Sequence, residues 1–280
     1  MTESTQFVKR TGYAMADRPL AYDTTEKFSS KCFQRKLRES YEVERTLSLT
    51  ESRIERISFK DAQQFILQYE WLGTMGATQL SYGLFCEDQL AAVSCLGVTA
   101  GTGVTSEPFG KEYKSKGIIY LRGACSPNAH QHTATFMLGL VKRELAKIGY
   151  NFVIAYADPE AGEIGTIYQA DNWKFYGFTS GITYLIRPDG KRVDPRIVYK
   201  YAKKNELTRQ EQMQIFFDEG YTLEKSSPKL KYLCMFGSRG RCRSMMKSVR
   251  VRFYPYLKRE IGMKNLYSYW KNEYNIGGSK

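Results

Sequence analysis

The stretch from residue 117 to residue 157 constrains the fold of this chain more than any other part of its sequence. An apolar segment, Gly117–Cys125, is followed by a helical stripe of apolar residues over 134–148 and by a second apolar segment, Phe152–Ala157. Gly149 is a typical residue just after the end of a helix. A strand, a helix and an unbroken apolar strand indicate a buried parallel pair. We therefore expect a sheet with a parallel crossover.

Shorter patterns on both sides of this crossover predict further helices and strands. Ser58 and Asp61 form a capping signal before an amphipathic stripe, and Thr208 with Glu211 forms a second one. The predicted extents are 59–70 and 208–220 for these two helices, 82–86 and 90–98 for an antiparallel hairpin, 163–173 for a short helix, and 181–187, 230–236 and 249–253 for strands.

Together these patterns predict an α/β fold, with a mixed, twisted sheet, flanking helices and a basic C-terminal α+β extension. Residues 1–50 read as a polar N-terminal arm with a short helix near 36–44. Residues 51–200 form the predicted core, and residues 201–280 form the extension, which we expect to pack on the core.

Composition and missing motifs exclude several classes of protein. The six cysteines are scattered and include no C-x-x-C pair, so neither a disulfide framework nor a structural zinc site is expected. No apolar run reaches the ~18 residues of a membrane span. The chain has no P-loop, no G-x-G-x-x-G loop and no G-x-S-x-G elbow, which argues against P-loop NTPases, Rossmann enzymes and α/β-hydrolases. We expect a reduced, cytoplasmic protein that has no membrane partner.

The positive charge of the chain is concentrated near its C-terminus. The 280 residues carry 42 Lys and Arg against 29 Asp and Glu, and from Pro228 to Arg259 there are ten Lys or Arg and no acidic residue. Arginine side chains match the geometry of phosphates, and the interleaved tyrosines offer faces on which bases can stack, so this segment predicts binding to DNA. The residues expected to contact phosphates are Arg239, Arg241, Arg243, Arg250, Arg252 and Lys258.

A helix-turn-helix interpretation of residues 195–220 fails on charge. Its second helix carries Glu211, Asp218 and Glu219, which would face the phosphates of DNA. We therefore reject a recognition-helix role for that helix.

Two residues near the end of the second apolar strand are candidates for catalysis, because ligands gather at the carboxyl ends of parallel strands. Asp158 follows that strand and either orients or deprotonates a nucleophile, or only stabilises the Asp-Pro bend. Tyr168 on the short helix either donates a proton to a leaving group or is a core tyrosine packed between Ile167 and Trp173.

The end of the first amphipathic helix and the two histidines are weaker candidates. Trp71 can stack on a base and Glu70 can pair with an amine; alternatively, the tryptophan only packs at the helix end and the glutamate is solvated. His130 and His132 are the only histidines, and without other clustered ligands they do not predict a metal site.

Four stretches, in order along the chain, carry a family pattern. The most specific joins Ala157-Asp-Pro159 to Gly165-Thr-Ile-Tyr-Gln-Ala-Asp-Asn-Trp173. The other three are Tyr69-Glu-Trp-Leu-Gly-Thr-Met-Gly76, Tyr120-Leu-Arg-Gly123 with His132-Thr-Ala-Thr-Phe-Met-Leu-Gly139, and Pro228-Lys-Leu-Lys-Tyr232 with Pro255-Tyr-Leu-Lys-Arg259. With these motifs the chain resembles the phage Mom DNA-modification family, a divergent member of the GNAT (N-acetyltransferase-like) superfamily.

The resemblance implies a GNAT-like architecture and the transfer of a small acyl-derived group to a base. Mom-type enzymes convert adenine in DNA to a carbamoylmethyl (acetamido) derivative on N6, which protects phage DNA from restriction. The resemblance implies that Tyr168 is the general acid. We expect Asp158 to share the chemistry and Glu70 and Trp71 to line the base pocket.

The resemblance also indicates where a donor would bind. In GNAT enzymes the place of residues 126–135 holds the pyrophosphate of coenzyme A. This chain has Ser-Pro-Asn-Ala-His-Gln at 126–131 instead of a Gly-rich loop, which argues against acetyl-CoA and leaves the donor unknown. The residues expected to hold the donor are Arg122, His132 and Thr135.

The sequence as a whole favours a DNA-modifying transferase, located in the host cytoplasm if it is phage-encoded. A base inside a duplex cannot be reached, so the target must flip out or be single-stranded. Two alternatives stay open, a GNAT-type N-acetyltransferase acting on a small amine or a protein, and a DNA-binding protein without enzymatic activity. We expect Asp158 and Tyr168 to meet at one edge of the sheet, with the arginine-rich face nearby.

Overall fold

The computed structural model describes residues 45–70, 75–98, 103–193 and 195–276, so the helix predicted near 36–44 lies outside the described residues. The strands are β1 (Arg53–Arg56), β2 (Leu80–Cys86), β3 (Gln89–Gly97), β4 (Gly117–Cys125), β5 (Phe152–Ala157), β6 (Lys174–Phe178), β7 (Thr183–Ile186), β8 (Arg192–Val193), β9 (Thr222–Lys225) and β10 (Leu230–Met235). The α-helices are α1 (Phe59–Tyr69), α2 (Thr133–Lys147), α3 (Thr166–Ala170), α4 (Arg196–Lys204), α5 (Arg209–Asp218), α6 (Arg239–Lys247) and α7 (Leu266–Glu273).

Seven strands form one mixed sheet in the order β1-β2-β3-β4-β5-β10-β6. Its only parallel neighbours are β4 and β5, in which Gly117 lies opposite Phe152 and Tyr120 opposite Ala155. Beyond Tyr120 the two strands part, because β4 continues to Cys125 along β3 while the end of β5 pairs with β10. The mixed sheet and its parallel crossover are confirmed, and the parting of the two strands opens the sheet at its centre.

Helices cover both faces of this sheet. Helices α2 and α7 share one apolar cluster with Val153 and Ala155, which point to the same face of β5. Helix α1 packs on β3 and β4 from the opposite face, where Met245 of α6 belongs to a cluster with Phe152 and Ile154. The alternation along β5 therefore separates the two layers. In the described ranges no helix is long and apolar enough to cross a membrane.

Both predicted capping signals are confirmed. The Ser58 hydroxyl accepts a hydrogen bond from the N–H of Asp61 at the start of α1. Thr208 and Glu211 bond reciprocally at the start of α5. Each cap satisfies backbone N–H groups that have no partner within the helix.

The cationic strand predicted over 249–253 is wrong. This segment forms no ladder and bends at Val251, with Arg250 and Arg252 exposed; a single isolated bridge joins the next residue, Tyr254, to Phe175. The period-two alternation predicted which side chains pack inward, since Val249, Val251 and Phe253 share one apolar cluster, but it did not predict the pairing, which depends on a partner strand.

Helix α6 was not predicted. Ser238 caps this helix by accepting a hydrogen bond from the N–H of Arg241. Arginine is a good helix former, and an N-cap outweighs the cost of Gly240 inside the helix.

Residues 183–225 form a small unit beside the main sheet. Its strands lie in the order β8-β7-β9, and α4 and α5 pack on them through Leu185, Val198 and Phe216. Residue 200, where the predicted core ends, lies inside α4, and β10 of the predicted extension lies between β5 and β6 in the main sheet.

Candidate active site

A cavity of about 1000 Å³ lies where β4 and β5 part. Its walls come from β3, β4, the end of β5, α2, α3 and the segments that join the small unit to the sheet. The polar and charged residues that line it include Glu70, Arg122, Asp158, Glu163, Tyr168, Lys229 and Arg259. The carboxyl ends of the parallel pair therefore hold the candidate site, as predicted for such sheets.

Asp158 lies at the rim of this cavity and is 9% exposed. One carboxylate oxygen accepts a hydrogen bond of 3.0 Å from the N–H of Glu160 and so caps the short 3-10 helix Pro159–Ala161. The other oxygen lies 2.7 Å from the ammonium nitrogen of Lys229. Asp158 is thus a turn-stabilising residue, and it also brings an ion-paired carboxylate to the cavity.

Tyr168 lies on α3, whose start is fixed by Gly165. Gly165 has φ +73°, and a Cβ there would come within 2.4 Å of the Tyr232 ring, so only glycine fits this position. The Tyr168 ring packs against Trp173, with 4.9 Å between ring centroids, and against Tyr232 at 5.4 Å. It is therefore both a packed aromatic residue and part of the cavity wall.

Burial raises the pKa of the Tyr168 phenol well above its ordinary value of 10.0, and the nearby Tyr120 and Glu163 raise it further. A phenol with a raised pKa keeps its proton at neutral pH. Tyr168 is therefore protonated at neutral pH, so it carries a proton and cannot act as a base, while the raised pKa makes it a weaker acid than a free tyrosine.

Glu70 and Arg122 bring opposite charges to the same cavity. Glu70 ends α1 and is 7% exposed, so the interpretation of this residue as a solvated glutamate is wrong. Arg122 lies on β4, and its guanidinium donates a 2.6 Å hydrogen bond to the carbonyl of Leu121. Trp71, predicted to line the base pocket with Glu70, lies outside the described residues.

The sequence prediction missed Lys229, Glu163 and Arg259 in the cavity wall. Glu163 accepts a 3.2 Å hydrogen bond from the N–H of Asp158, and Arg259 donates one of 3.1 Å to the carbonyl of Gly162. Lys229 and Arg259 lie within the family motifs, but only the pairing of β10 with β5 brings Lys229 beside Asp158.

Of the residues predicted to hold a donor, only Arg122 lines the cavity; His132 and Thr135 lie at the start of α2 outside it. The loop before α2 turns on itself. The N–H groups of Ala129 and Thr133 donate to carbonyls within the loop, and that of His132 donates to the ring of His130. These three N–H groups are therefore not available to a pyrophosphate at the start of α2.

The histidine pair offers little to a metal ion. The two rings lie 5.3 Å apart between centroids. Across the part of the chain that the structure describes, no group of three His, Cys, Asp or Glu side chains is arranged to hold a metal.

The arginines of α6 do not lie near the cavity. β10 ends at Met235, opposite Phe152 at the start of β5, and α6 follows directly. The Arg241 side chain contacts Asn151, the residue before β5. Because the six residues of β5 each rise ~3.3 Å, β10 ends, and α6 follows, about 20 Å along the sheet from Asp158. The expectation that the arginine-rich face lies beside the acid–phenol pair is wrong.

The other predicted phosphate contacts are spread along the sheet, from the far end to the cavity wall. Arg250 pairs with Glu112 at 2.7 Å, near the start of β4. Arg252 lies over the Tyr254 and Tyr274 rings. Lys258 is exposed and precedes Arg259 of the cavity wall. Contact of any of these residues with phosphates stays a prediction.

Several solved structures are similar to this chain. They include an acetyltransferase from Bacillus subtilis in complex with CoA (9% identity, TM-score 0.37, 67% of this chain and 100% of that chain covered) and an N-acetyltransferase from Staphylococcus aureus Mu50 (7%, 0.37, 66% and 98%). The ribosomal-protein-S18-alanine N-acetyltransferase from Escherichia coli is also similar (11%, 0.35, 67% and 97%). No curated protein matches the chain.

The sequence model of the Mom protein family matches residues 51–256. This range begins just before β1 and ends beyond α6, so it includes the whole main sheet and every described residue of the cavity wall except Arg259. Because the match covers well over half of its 280 residues, the chain belongs to the Mom protein family.

Proposed function

We propose that this protein transfers a small acyl-derived group of the carbamoylmethyl (acetamido) type to N6 of adenine in DNA. The modified base would protect phage DNA from restriction. Membership of the Mom protein family supports this proposal, and so does the chemistry that the cavity can perform.

The observation that carries the proposal is the meeting, in one cavity, of a buried phenol and an ion-paired carboxylate. Transfer to the N6 amine requires that a proton leave the nitrogen as the new bond forms. It also requires that a proton reach the group that leaves the donor. We assign to Asp158 the acceptance of the first proton and to Tyr168 the supply of the second.

Other charged groups in the cavity hold the Asp158 carboxylate in place and offer a positive charge to the donor. The Lys229 ammonium holds one oxygen of Asp158, and the N–H of Glu160 holds the other, which restricts the direction in which the carboxylate points. Preorganisation of this kind lowers the cost of reaching the transition state. Arg122 contributes a positive charge to the same cavity, suited to an anionic part of the donor.

The size of the cavity suits a flipped base. Ligand sites commonly enclose ~300–1000 Å³, so a cavity of about 1000 Å³ is large enough for a nucleobase together with a donor group. The buried carboxylate of Glu70 can accept a hydrogen bond from the exocyclic amine of adenine.

The test is direct. Bacterial cells express the protein, their DNA is digested to nucleosides, and the nucleosides are separated and weighed. We expect deoxyadenosine that carries a carbamoylmethyl group, and we expect it to disappear in Asp158→Asn and Tyr168→Phe. Plasmid from the same cells should resist restriction enzymes whose sites contain adenine.

The competing functions give different results. Unmodified nucleosides from cells with abundant folded protein, together with acetylation of a small amine or a protein by the purified chain, would favour an N-acetyltransferase. Unmodified nucleosides with tight DNA binding and no transfer to any acceptor would favour a DNA-binding protein.

A further inference from the structure

A second basic surface lies on the small unit, apart from the arginines of α6. Helix α4 carries Arg196, Lys200, Lys203 and Lys204 and no acidic residue within its nine positions. All four cationic residues are exposed. Among the described residues, none forms an ion pair with Lys200, Lys203 or Lys204.

The three lysines of α4 lie on the side of the helix that faces away from the protein. Val198 and Ala202 are the buried residues of the helix, spaced i and i+4, and they define its inner face. At ~100° per residue, Lys200 and Lys203 lie roughly opposite that face. Tyr199 lies beside them and is 70% exposed. The outer face thus combines cations with an accessible aromatic ring.

The small unit is attached at the rim of the cavity. Gly181, Ile182 and Ser226, which flank β7 and β9, line the cavity itself. Arg192 of β8 pairs at 2.9 Å with Glu160, two residues after Asp158. The strands on which α4 packs are therefore joined to the main sheet by segments that line the cavity.

The N–H of Ser227 also donates a 2.7 Å hydrogen bond to Glu160. Burial alone would raise the pKa of Glu160, but the hydrogen bonds from Ser227 and Arg192 outweigh it and lower the pKa. An ionised Glu160 therefore ties β8 and the segment that follows β9 to the loop after Asp158.

We propose that the outer face of α4 binds the phosphate backbone of DNA beside the cavity. The contacts are charge-assisted hydrogen bonds from Lys200, Lys203 and Lys204 to phosphates, with Tyr199 against the same strand. This surface is a docking site for nucleic acid, and its use in presenting a base to the cavity rests on the proposed function.

The inner face of α4 argues against a lipid partner. An interfacial helix binds a membrane by inserting an apolar face, but the aliphatic residues Ile197 and Val198 of α4 already pack in the cluster of Leu185 and Phe216. What the helix offers to a partner is positive charge, which matches phosphate. The acidic residues Glu211 and Asp218 lie on the neighbouring helix α5, so we expect the DNA to follow α4 and to avoid α5.

The test compares matched triple variants by their salt dependence. The first is Lys200→Gln/Lys203→Gln/Lys204→Gln. The control is Lys111→Gln/Lys114→Gln/Lys116→Gln, which removes the same charge from three exposed lysines near the start of β4. Binding to a fluorescent 20-base-pair duplex (length chosen for the assay) is followed by anisotropy over a series of salt concentrations.

Each phosphate contact contributes ~0.9 to the slope of log K against log salt, so three lost contacts should lower it by about 2.7. We expect this loss for the α4 variant, with binding at least tenfold weaker at low salt, and less than a twofold change for the control. Equal slopes for the α4 variant and the wild type would overturn the proposal. So would weak binding of the wild-type protein to DNA combined with α4-dependent binding to anionic lipid vesicles.

The same proteins separate this inference from the proposed function. If wild-type cells contain modified deoxyadenosine while the α4 variant binds DNA normally, the docking surface is wrong and the function stands. If the salt slope of the α4 variant falls as expected while neither the wild type nor the variants modify adenine, the docking surface stands and the proposed function is wrong. Circular dichroism melting checks that both triple variants fold, which their exposed positions predict.

Discussion

The two ends of the main sheet carry charge in opposite ways. At the cavity end, charged groups are buried and held by partners, as in Asp158 with Lys229. At the far end, where β5 begins, the arginines of α6 are exposed, and Arg250 pairs with Glu112 in solvent. The sequence indicated the far end more strongly, because that end contains more charged residues, and a count of charges does not distinguish exposed charges from buried ones.

This difference has an energetic reason. Burial of a charge costs several kcal/mol unless a partner compensates, so buried charges are kept where they have a use. An exposed arginine costs almost nothing and contributes to solubility and to long-range attraction of polyanions. Chemistry is therefore expected at the cavity end, and the far end is expected to contribute at most to DNA affinity.

The largest expected effect is on catalysis. Tyr168→Phe should lower the amount of modified deoxyadenosine by ~10²–10⁴-fold, the usual contribution of a positioned proton donor. The matched far-end variant is Tyr113→Phe, which removes a hydroxyl that lies 3.3 Å from that of Ser248. It should change modification less than twofold. Equal losses in the two variants would show that the cavity end has no special role.

The second effect is on stability and compares two ion pairs. Lys229→Met leaves the Asp158 carboxylate largely buried without its cation and should lower the free energy of unfolding by ~2–3 kcal/mol. Arg250→Met breaks the exposed pair with Glu112 and should cost ~0–1 kcal/mol. Urea denaturation measures both. A larger loss for Arg250→Met would reverse the comparison.

The third effect concerns the backbone that positions Tyr168. Gly165→Ala adds a Cβ at φ +73° and against the Tyr232 ring, so it should cost ~2–3 kcal/mol and lower activity with stability. Gly149→Ala, at φ +95° with open space around it, should cost only the backbone strain of ~1 kcal/mol. Identical midpoints in thermal melting would contradict the role given to Tyr232 packing.

A smaller effect is expected from pH at the rim of the cavity. Because the pKa of Glu160 is lowered in the folded protein, its contribution to stability is fully present above the unfolded pKa near 4.5. The contribution is lost as the pH falls through the lower folded value. Glu160→Gln should lower Tm at pH 7, and the difference from wild type should shrink below pH 4.5. A constant difference would count against the ionised Glu160.

The smallest effect is expected from α6. Arg239→Gln/Arg241→Gln/Arg243→Gln should weaken duplex binding by about threefold or less at low salt, because we expect α4 to hold the duplex beside the cavity and α6, at the far end of the sheet, to add mainly long-range attraction. The same anisotropy series as for α4 measures this. A loss greater than that of the α4 variant would restore the arginine helix as the main DNA contact.

The centre of the main sheet could be predicted because its strands have local signals, whereas the two edge strands, β1 and β6, were missed. Gly117–Cys125 and Phe152–Ala157 are apolar enough to specify buried strands, and the helix between them fixes the parallel direction. The short strands β8 and β9 have few buried residues and depend on the contacts of the small unit, so no local pattern indicated them.

The site was predicted only in part. The predicted acid–phenol pair is close in sequence to β5, whereas Lys229 and Arg259, which were missed, come from distant parts of the chain. Asp158 and Tyr168 lie just after β5 in sequence, so strand order alone brought them to the cavity end. Lys229 reaches Asp158 from 71 positions away through the antiparallel pairing of β10. The arginines of α6 follow that same strand, and because it runs antiparallel to β5 they come out at the opposite end.

One measurement tests the central claim most directly, namely the quantity of carbamoylmethyl-deoxyadenosine in DNA from cells that express wild type, Tyr168→Phe or Tyr113→Phe at equal levels. The account predicts abundant product in wild type and Tyr113→Phe and almost none in Tyr168→Phe. Product in all three at similar levels, or in none of them, would contradict it.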